Sequence, residues 1–363
     1  MSQLRSRLPE LELRWLGGRR GLEQDIVPGA DIQLERLWLR SLRTVDASLN
    51  TILDPLRLVA SVPQALWQLI RWRPDAVYTT GGYVAIPVLL AAKLLRVPSV
   101  LWDGNVVPGR SVRLVARLAT AITVSHPATA TTLGRPDTYV TGTPIRSVRG
   151  VDPDAAREQF GARPGERVLL VFGGSQAVRR INDAVAGAVP RLVERMRVIH
   201  VTGEDGLPAA EAARRALPED VRDRYRPHAF LHGEDMTAAL AAADLAVGRA
   251  GASTLAEAAA FALPTAIVPY PHAAGHQRLN AESFAEAGAA VLVEDADLDE
   301  DRLVELAGLL ADPAAHAGMS AAARELARPG AAEAIGDLVI AVAGRRPLPS
   351  PADVEAVARG ARS

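Results

Sequence analysis

Cysteine is absent from the 363 residues of this sequence. Its absence excludes disulfide bonds, thiolate metal ligands and a cysteine nucleophile, and it fits a reducing compartment. Long apolar runs are also missing: the nearest candidate, YVAIPVLLAAKLL, is too short to cross a bilayer and contains a lysine. The N-terminal residues lack the apolar core of a secretory signal.

An excess of charge is missing too, since the formal net charge is −1. A long-range attraction to polyanions is therefore not expected, and nucleic acid is not a predicted partner. Aromatic residues are few, but all five tryptophans fall in the first 102 residues. Between positions 34 and 73 the sequence has six arginines and only three acidic residues. Tryptophan and arginine together suit a membrane surface, and the same residues also fit an ordinary helical layer with solvated arginines.

Short apolar runs alternate with helical patterns along the whole chain, which indicates parallel sheets with crossover helices. This alternation occurs in two blocks, one on either side of the polar, turn-rich stretch RSVRGVDPDAAREQFGARPGE. We therefore predict an α/β fold with two Rossmann-like domains, 1–146 and 166–346, joined by a linker at 147–165. The last helix of the second domain is also compatible with packing on the first. Residues 347–363 are predicted to form a loosely ordered tail.

Parallel sheets bind ligands at the carboxyl ends of their strands, so the strand-end loops are the expected place for a binding site. The apolar run VLLVF ends in GGSQ and passes directly into a helical pattern. Glycines let a ligand approach the backbone, and the first amides of a helix favour an anion. Ser175 fits a phosphate contact and equally well a helix cap.

The stretch GRAGASTLAE forms a second turn of this kind. The backbone amides of Ala252, Ser253, Thr254 and Leu255 are predicted to hold a phosphate, with Glu257 accepting hydrogen bonds from ribose hydroxyls. The alternative is a capping box, in which Thr254 caps the helix and Glu257 reaches back to the cap amide. Two turns of this type in one sheet favour a nucleotide diphosphate.

A third strand end, TAIVP, leads into a loop and then a helix that carries Gln277 and Asn280 on one face. Side-chain amides suit the recognition of sugar hydroxyls, although these two also fit solvated positions. His272 and His276 have no carboxylate at a supporting spacing, so no metal site is predicted there. The acidic run VEDADLDED contains Asp-x-Asp but reads as a loop and helix start, so it is not assigned to metal either.

The motifs GGYVAIP, GTPIR, GGSQ, GRAGASTLAE and HQRLNA…AGAA, in this order, closely resemble the MurG family of glycosyltransferases, from about residue 11 to 345. The resemblance implies the GT-B architecture and an inverting, metal- and cofactor-independent transfer. In that reaction N-acetylglucosamine passes from UDP-GlcNAc to undecaprenyl-diphospho-muramoylpentapeptide (lipid I), giving lipid II for peptidoglycan synthesis. It also implies a peripheral enzyme on the cytoplasmic face of the cell membrane, with the acceptor on the N-terminal domain and the donor on the C-terminal one.

The resemblance also implies roles for individual residues. Gln277 looks like the residue that reads the sugar ring, Gly233 like a contact to the uracil edge, and Asn105 like a catalytic residue near the reaction centre. The donor contacts implied by motif are Asn105, Arg146, Gly174, Ser175, Gln176, Gly233, Ala252, Ser253, Thr254, Leu255, Glu257, Gln277 and Asn280. Gly81, Gly82 and Tyr83 resemble the acceptor side.

The sequence departs from the family pattern in three places. WDGN stands where the family has His-Glu-Gln-Asn, which leaves Asp103 as the catalytic base candidate by position, or as a carboxylate that orders its loop. His126, after the next strand, fits a catalytic or a structural role. GGSQ is followed by Ala177, where the family usually has glycine.

The third departure concerns the Gly-Gly-Thr-Gly-Gly-His loop with which the family opens. No such motif occurs in this sequence, because Met1 falls near the end of the helix that should follow the loop. Either the chain is truncated, or its start is placed too far downstream, or a partner chain supplies the loop. Three functions stay open: the lipid I transferase, a glycosyltransferase acting on another lipid such as a diacylglycerol, and a nucleotide-sugar-binding subunit that is inactive alone.

Overall fold

The protein is described by a computed structural model that covers residues 2–18, 23–39, 49–173, 179–271 and 275–360. The chain forms two compact units. Unit 1 contains Met1–Gly142 and Gly330–Ser363, and unit 2 contains Thr143–Pro329. Both units are built from parallel strands connected by helices, so the predicted α/β class is confirmed.

Unit 1 contains two groups of parallel strands, a pair β1–β2 and a four-stranded sheet in the order β3-β4-β5-β6. The strands are β1 (Arg14–Gly17), β2 (Gln33–Arg36), β3 (Val77–Thr79), β4 (Ser99–Asp103), β5 (Ala121–Val124) and β6 (Thr138–Val140). The helices are α1 (Ser2–Arg7), α2 (Glu23–Gly29), α3 (Leu49–Trp72), α4 (Ala85–Leu94), α5 (Arg110–Val115), α6 (Pro127–Leu133), α16 (Ala331–Ala343) and α17 (Pro351–Ala358).

Unit 2 contains one six-stranded parallel sheet in the order β12-β11-β10-β7-β8-β9. The strands are β7 (Arg167–Phe172), β8 (Met196–Val201), β9 (Tyr225–His228), β10 (Leu245–Gly248), β11 (Thr265–Ile267) and β12 (Ala290–Leu292). The helices are α7 (Pro153–Gln159), α8 (Arg179–Leu192), α9 (Leu207–Ala216), α10 (Glu219–Arg222), α11 (Glu234–Ala242), α12 (Ala252–Ala260), α13 (His276–Glu286), α14 (Glu300–Ala311) and α15 (Pro313–Leu326). A short 3-10 turn lies at Asp295–Asp297 in this unit, and another lies at Ala116–Leu118 in unit 1.

The central strands of unit 2 are buried on both faces, as parallel strands between two helical layers require. In β7, side chains of alternating direction enter two separate apolar clusters: Leu169 and Val171 pack with α8 and α14, and Val168 and Leu170 pack with α11. This explains why the strand reads as an unbroken apolar run in the sequence rather than as an alternating pattern.

The C-terminal residues differ from the prediction. Residues 347–363 do not form only a loose tail, because α17 spans Pro351–Ala358 and buries Val354 and Val357 in one apolar cluster with Val100 of β4. The chain returns to unit 1 at Gly330, which agrees with the expectation that the last helix of the predicted second domain is compatible with packing on the first. The physical reason is the apolar stripe of α16, which packs on β4 and β5 and so belongs to the first sheet.

The predicted linker at 147–165 is likewise part of unit 2, which begins at Thr143. It contains α7, whose first turn is capped by the Asp152 side chain accepting from the Asp154 amide. None of the helices in the described ranges combines the length and apolar character that a bilayer crossing requires.

Candidate functional site

Two predicted phosphate-binding turns follow neighbouring strands of unit 2. Strand β10 pairs with β7 in parallel, with Gly248 opposite Phe172, so the chain leaves both strands at the same edge of the sheet. The strand order reverses between these two, because β8 and β9 lie on one side of β7 while β10 lies on the other. In open parallel sheets this switch point is where ligands bind.

The turn before α12 presents amides that no side chain caps. Gly251 is the N-cap residue with an extended backbone, and no side chain accepts from the first amides of the helix. The alternative capping box of Thr254 and Glu257 is therefore wrong, because the N-cap residue is Gly251 and Thr254 already lies inside the helix. Within the described part of the chain, no hydrogen bond takes up the N–H groups of Ala252, Ser253 or Thr254.

Leu255 does not share this property, although it was predicted to. Its N–H donates to the carbonyl of Gly251 at 3.0 Å, and its side chain is 2% exposed in the core under the helix. A helix leaves only its first amides without an internal partner, which is why the prediction extended one residue too far. The amides at the start of α12 that remain without a partner among the described residues are therefore those of residues 252–254.

Glu257 lies one turn further along α12 and is half-buried. Burial raises the pKa of its carboxyl above the ordinary value, and the positive charge of Arg146 opposes that rise. Arg146 and Glu257, two predicted donor residues from distant parts of the sequence, therefore lie in the same unit and near enough for the arginine to act on the carboxyl. A half-buried carboxylate accepts hydrogen bonds, and the hydroxyl groups of a polyol can donate them.

Gln277 lies at the second position of α13. Its side-chain oxygen Oε1 accepts from the Tyr270 amide at 2.9 Å, so its Nε2 group is the part left for a ligand. Asn280 is placed differently from the prediction of a sugar contact: it is 2% exposed, and its Nδ2 lies 3.5 Å from the Ala250 carbonyl. Asn280 thus connects α13 to the turn before α12.

Gly233 precedes α11 with φ 55° and ψ −118°. This backbone conformation is essentially restricted to glycine, which explains the residue at this position. Gly174, Ser175 and Gln176, predicted as donor contacts, lie outside the described residues, as does His272. Among the described residues, no group of three His, Asp or Glu side chains lies close enough to share a metal ion.

The predicted acceptor residues lie in unit 1, between β3 and α4. Gly81 and Gly82 both have positive φ, 79° and 74°, and the Gly81 amide donates to Thr79 Oγ1 at 3.3 Å. A Cβ atom on Gly81 would lie 2.9 Å from a methyl of Val112, so the turn needs glycine for space as well as conformation. Tyr83 follows the turn and packs against the apolar cluster below it.

Asp103 and Asn105 also lie in unit 1, at the carboxyl end of β4. The Asp103 carboxylate is 3% exposed and holds the loop that follows it. Its Oδ1 accepts from the backbone N and the side-chain Nδ2 of Asn105, both at 3.1 Å, and its Oδ2 accepts from the Gly109 amide at 3.3 Å. The Thr129 hydroxyl donates to the Asn105 carbonyl at 2.7 Å from the other side.

His126 was left open between a catalytic and a structural role. It is the N-cap residue of α6, without a capping hydrogen bond from its side chain. Burial lowers the pKa of its imidazole to about 4, so the ring is neutral at neutral pH. A base with so low a pKa accepts a proton poorly at neutral pH, which favours the structural role.

Arg249 is a residue of the GRAG turn that the sequence analysis did not single out. Its side chain is only 4% exposed and forms an ion pair with Asp295, with Nη1 2.5 Å from Oδ1. The available signal was an arginine placed among small residues directly after a buried strand. Buried arginines need partners, but the sequence does not say which carboxylate provides one.

Both halves of the chain match models of one family. Residues 1–124 match the glycosyltransferase family 28 N-terminal domain, and residues 168–335 match its C-terminal domain. Among solved structures, the chain is similar to MurG of Acinetobacter baumannii, with a TM-score of 0.71, 26% identity, and 93% of this chain and 94% of that chain covered. CalG4, the calicheamicin glycosyltransferase, shares the fold with a TM-score of 0.69 at 19% identity, covering 94% of this chain and 93% of that one.

Two curated relatives carry the same name, UDP-N-acetylglucosamine–N-acetylmuramyl-(pentapeptide) pyrophosphoryl-undecaprenol N-acetylglucosamine transferase. The one from Moorella thermoacetica is 38% identical, over 93% of this chain and 92% of that protein. The one from Cutibacterium acnes is 37% identical, over 90% of this chain and 89% of that protein. The predicted two-domain GT-B fold and the predicted family are thereby confirmed. The chain belongs to glycosyltransferase family 28 and, within it, to the MurG family.

Proposed function

We propose that the protein transfers N-acetylglucosamine from UDP-GlcNAc to the lipid-linked muramoylpentapeptide lipid I, giving lipid II and UDP. The observation that carries the proposal is the uncapped start of α12 beside the half-buried Glu257, at the switch point of the unit 2 sheet. Membership of a family whose curated relatives are named for this reaction supports it.

The reaction is an inverting displacement. The acceptor oxygen forms a bond to C1 of the sugar, the bond from C1 to the UDP oxygen breaks on the opposite face, and the acceptor proton passes to a general base. The amides of residues 252–254 stabilise the charge that develops on the departing diphosphate, helped by the dipole of α12. Arg146 adds a positive charge beside Glu257.

Three further residues of unit 2 orient the donor. Glu257 accepts from the ribose hydroxyls, and Gln277 donates from Nε2 to a sugar hydroxyl because Tyr270 already occupies its Oε1. The backbone at Gly233 contacts the uracil edge, and no side chain caps the amides that follow it at the start of α11. The GGSQ loop, with Gly174, Ser175 and Gln176, completes the phosphate contacts from the end of β7.

On unit 1, Asp103 is assigned as a positioning residue and Asn105 as the residue that it positions for catalysis. The three hydrogen bonds that the Asp103 carboxylate accepts from its own loop support this assignment over a role as general base. The turn with Gly81, Gly82 and Tyr83 is assigned to the acceptor.

The protein is proposed to dock on the cytoplasmic face of the cell membrane through α3. One face of this helix is exposed and apolar: Leu56, Val59, Trp67 and Ile70 are 65%, 70%, 56% and 51% exposed. Their intervals of three, eight and three residues place them on one face of the helix, in one stripe. Arg71 flanks the stripe, with its guanidinium 5.3 Å from the Trp67 ring. Apolar side chains bordered by arginine match the interface of an anionic bilayer.

Replacing Trp67 and Ile70 together by serine is expected to lower binding to vesicles with anionic lipids about tenfold or more, because each apolar side chain contributes about 1.5–3 kcal/mol when fully buried. Co-sedimentation with phosphatidylglycerol vesicles measures the effect. The matched control replaces Leu94 and Leu114, which are 70% and 67% exposed outside this stripe. Equal losses in the two double variants would contradict docking through α3.

A donor-binding subunit that needs a partner is the second candidate, and one observation in unit 1 favours it. Within the described residues, no strand ladder joins the β1–β2 pair to the β3–β6 sheet. Leu16 of β1 and Val77 of β3 nevertheless pack on one apolar cluster with α3 and α4. An additional parallel strand beside β1 or β3 is where a glycine-rich loop from a partner chain would attach.

The experiment that tests the function has two parts. Calorimetric titration with UDP-GlcNAc examines the donor site, and a transfer assay with lipid I and a diacylglycerol in competition identifies the acceptor. Glycosylation of lipid I is expected, whereas preferred glycosylation of the diacylglycerol would establish another lipid as substrate. Donor binding without transfer, restored by a small copurifying protein with a glycine-rich loop, would establish the subunit. An absence of binding heat at millimolar donor would contradict all three.

A further inference from the structure

Three arginines, one from each predicted donor element of unit 2, converge on a single short segment. Arg180 lies in the first turn of α8, after the GGSQ loop; Arg249 lies in the turn before α12; and Arg278 follows Gln277 in α13. All three contact residues 294–298, which contain the 3-10 turn Asp295–Asp297. This segment, called the acidic bracket below, follows β12 at the edge of the sheet.

The central contact is the ion pair between Arg249 and Asp295, which joins positions 46 residues apart. The two side chains are 4% and 21% exposed, and Nη1 of Arg249 lies 2.5 Å from Oδ1 of Asp295. The same nitrogen lies 3.1 Å from the Val268 carbonyl and 3.4 Å from the Pro269 carbonyl. Arg249 therefore fixes the chain directly after β11, and Asp295 fixes Arg249.

That part of the chain leads to the residue assigned to the sugar. The guanidinium of Arg249 lies 5.6 Å from the Tyr270 ring, and the Tyr270 amide donates to Oε1 of Gln277 at 2.9 Å. This hydrogen bond sets which end of the Gln277 carboxamide faces away from the loop, because an amide has one accepting and one donating end. The orientation of Nε2 thus depends on a path that starts at Asp295.

The other two arginines hold the ends of neighbouring helices on the same bracket. Nε of Arg180 donates to the Leu298 carbonyl at 3.0 Å, and its Nη2 donates to the Ala296 carbonyl. Nη1 of Arg278 lies 2.6 Å from Oε1 of Glu294, in an exposed pair. Both contacts attach the first turn of a donor helix to the bracket, in addition to the buried pair at its centre.

We infer that the acidic bracket is a positioning element of the donor site, and that Asp295 is the positioning residue that orients Gln277 for recognition of the sugar. The inference rests on the proposed function. It also gives a role to the first carboxylate of the Asp-x-Asp run at 295–297, because Asp295 pairs with an arginine of the protein itself. The pair acts through Tyr270 and Gln277 and does not touch the donor.

The test compares Asp295→Asn with Asp297→Asn. Asp297 lies in the same turn, is exposed, and is assigned no arginine contact within the described residues, so it is the matched control. Calorimetric dissociation constants are measured for UDP-GlcNAc, for its 4-epimer UDP-GalNAc, and for UDP. Asp295→Asn is expected to lower the preference for UDP-GlcNAc over its epimer about tenfold, which is what one misplaced hydrogen-bond donor costs. Asp297→Asn is expected to leave the preference unchanged.

Affinity for UDP alone separates positioning from general loosening, because UDP lacks the N-acetylglucosamine that Gln277 is proposed to contact. It is expected to change less than the sugar preference in Asp295→Asn. An equal loss for UDP and UDP-GlcNAc, or the same epimer preference in both variants, overturns the inference. If Asp295→Asn does not fold, Arg249→Lys carries the same test, since lysine keeps the charge but lacks the guanidinium fork. A wild-type protein that does not bind UDP-GlcNAc overturns the proposed function and this inference together.

Discussion

Replacing Glu257 by alanine is expected to weaken binding of UDP-GlcNAc by about 10- to 100-fold, because a hydrogen bond to a charged group is worth about 1.5–3 kcal/mol. The effect is large because the half-buried carboxylate has lost part of its hydration before the ribose arrives. Calorimetric titration of the purified variant measures it. Folding is not expected to suffer, since the variant removes a carboxylate whose burial is unfavourable. An unchanged dissociation constant would contradict the assignment of Glu257.

The pH dependence of binding follows from the same residue. Burial raises the pKa of Glu257 in the folded protein. The ribose hydroxyls need the ionised carboxylate as acceptor, so affinity is expected to fall as the pH is lowered through this raised pKa, above the range of an ordinary glutamate. Glu257→Gln keeps the size of the side chain and should bind weakly but without this pH dependence. A wild-type affinity that stays constant down to the ordinary glutamate range would contradict the prediction.

The pH dependence that Glu257 gives to the free energy of unfolding is opposite in sign to the pH dependence that it gives to donor binding. Without donor, a carboxyl with a raised folded-state pKa favours folding in its protonated form. Its contribution to the free energy of unfolding is therefore complete at pH values below the unfolded-state pKa. It is lost as the pH rises through the raised folded-state value. Donor affinity and the contribution of Glu257 to stability thus change in opposite directions across the same pH window.

Replacing Asp103 by alanine is expected to lower the rate of transfer about 100-fold while leaving the affinity for UDP-GlcNAc unchanged. The carboxylate holds both the backbone and the side chain of Asn105, together with the Gly109 amide, so its loss releases the loop. Small displacements of a catalytic group can cost about 100-fold in rate. Single-turnover transfer assays and donor titrations measure the two quantities separately.

The control for this prediction is Asn105→Ala, alone and combined with Asp103→Ala. If Asp103 acts by positioning Asn105, the double variant is expected to be no slower than the slower single variant. Losses that multiply, with a pH–rate profile that loses its acidic limb only when Asp103 is changed, would instead identify Asp103 as the general base.

The ends of strands β7 and β10 could be predicted from the sequence because they follow from local patterns. An apolar run of strand length followed by small residues marks the end of a buried strand. The motifs GGSQ and GRAGASTLAE both follow such runs in the second half of the chain, which predicts that their strands belong to one sheet. The pairing of β7 with β10 places these strand ends side by side, as the two-turn argument required. Glu257 was selected for its spacing from the turn, and the structure places Arg146 near it.

The remaining features depend on contacts between distant positions. Thr254 and Glu257 satisfy the spacing of a capping box, but Gly251 begins the helix earlier, which the spacing alone cannot show. Asn280 reads as a surface residue on its helix and is buried only because the turn at Ala250 packs over it. Arg249 and Asp295 are separated by 46 positions, so nothing local pairs them.

The return of the chain to unit 1 at Gly330 has a consequence for biosynthesis. Unit 2 is continuous, so its whole sheet has been synthesised before α16 and α17 exist. The cluster that contains Val100 and Tyr139 lacks its covering helices until the last residues of the chain emerge. Translation, which runs from the N-terminus, therefore completes unit 2 first, and unit 1 is the last to close its core.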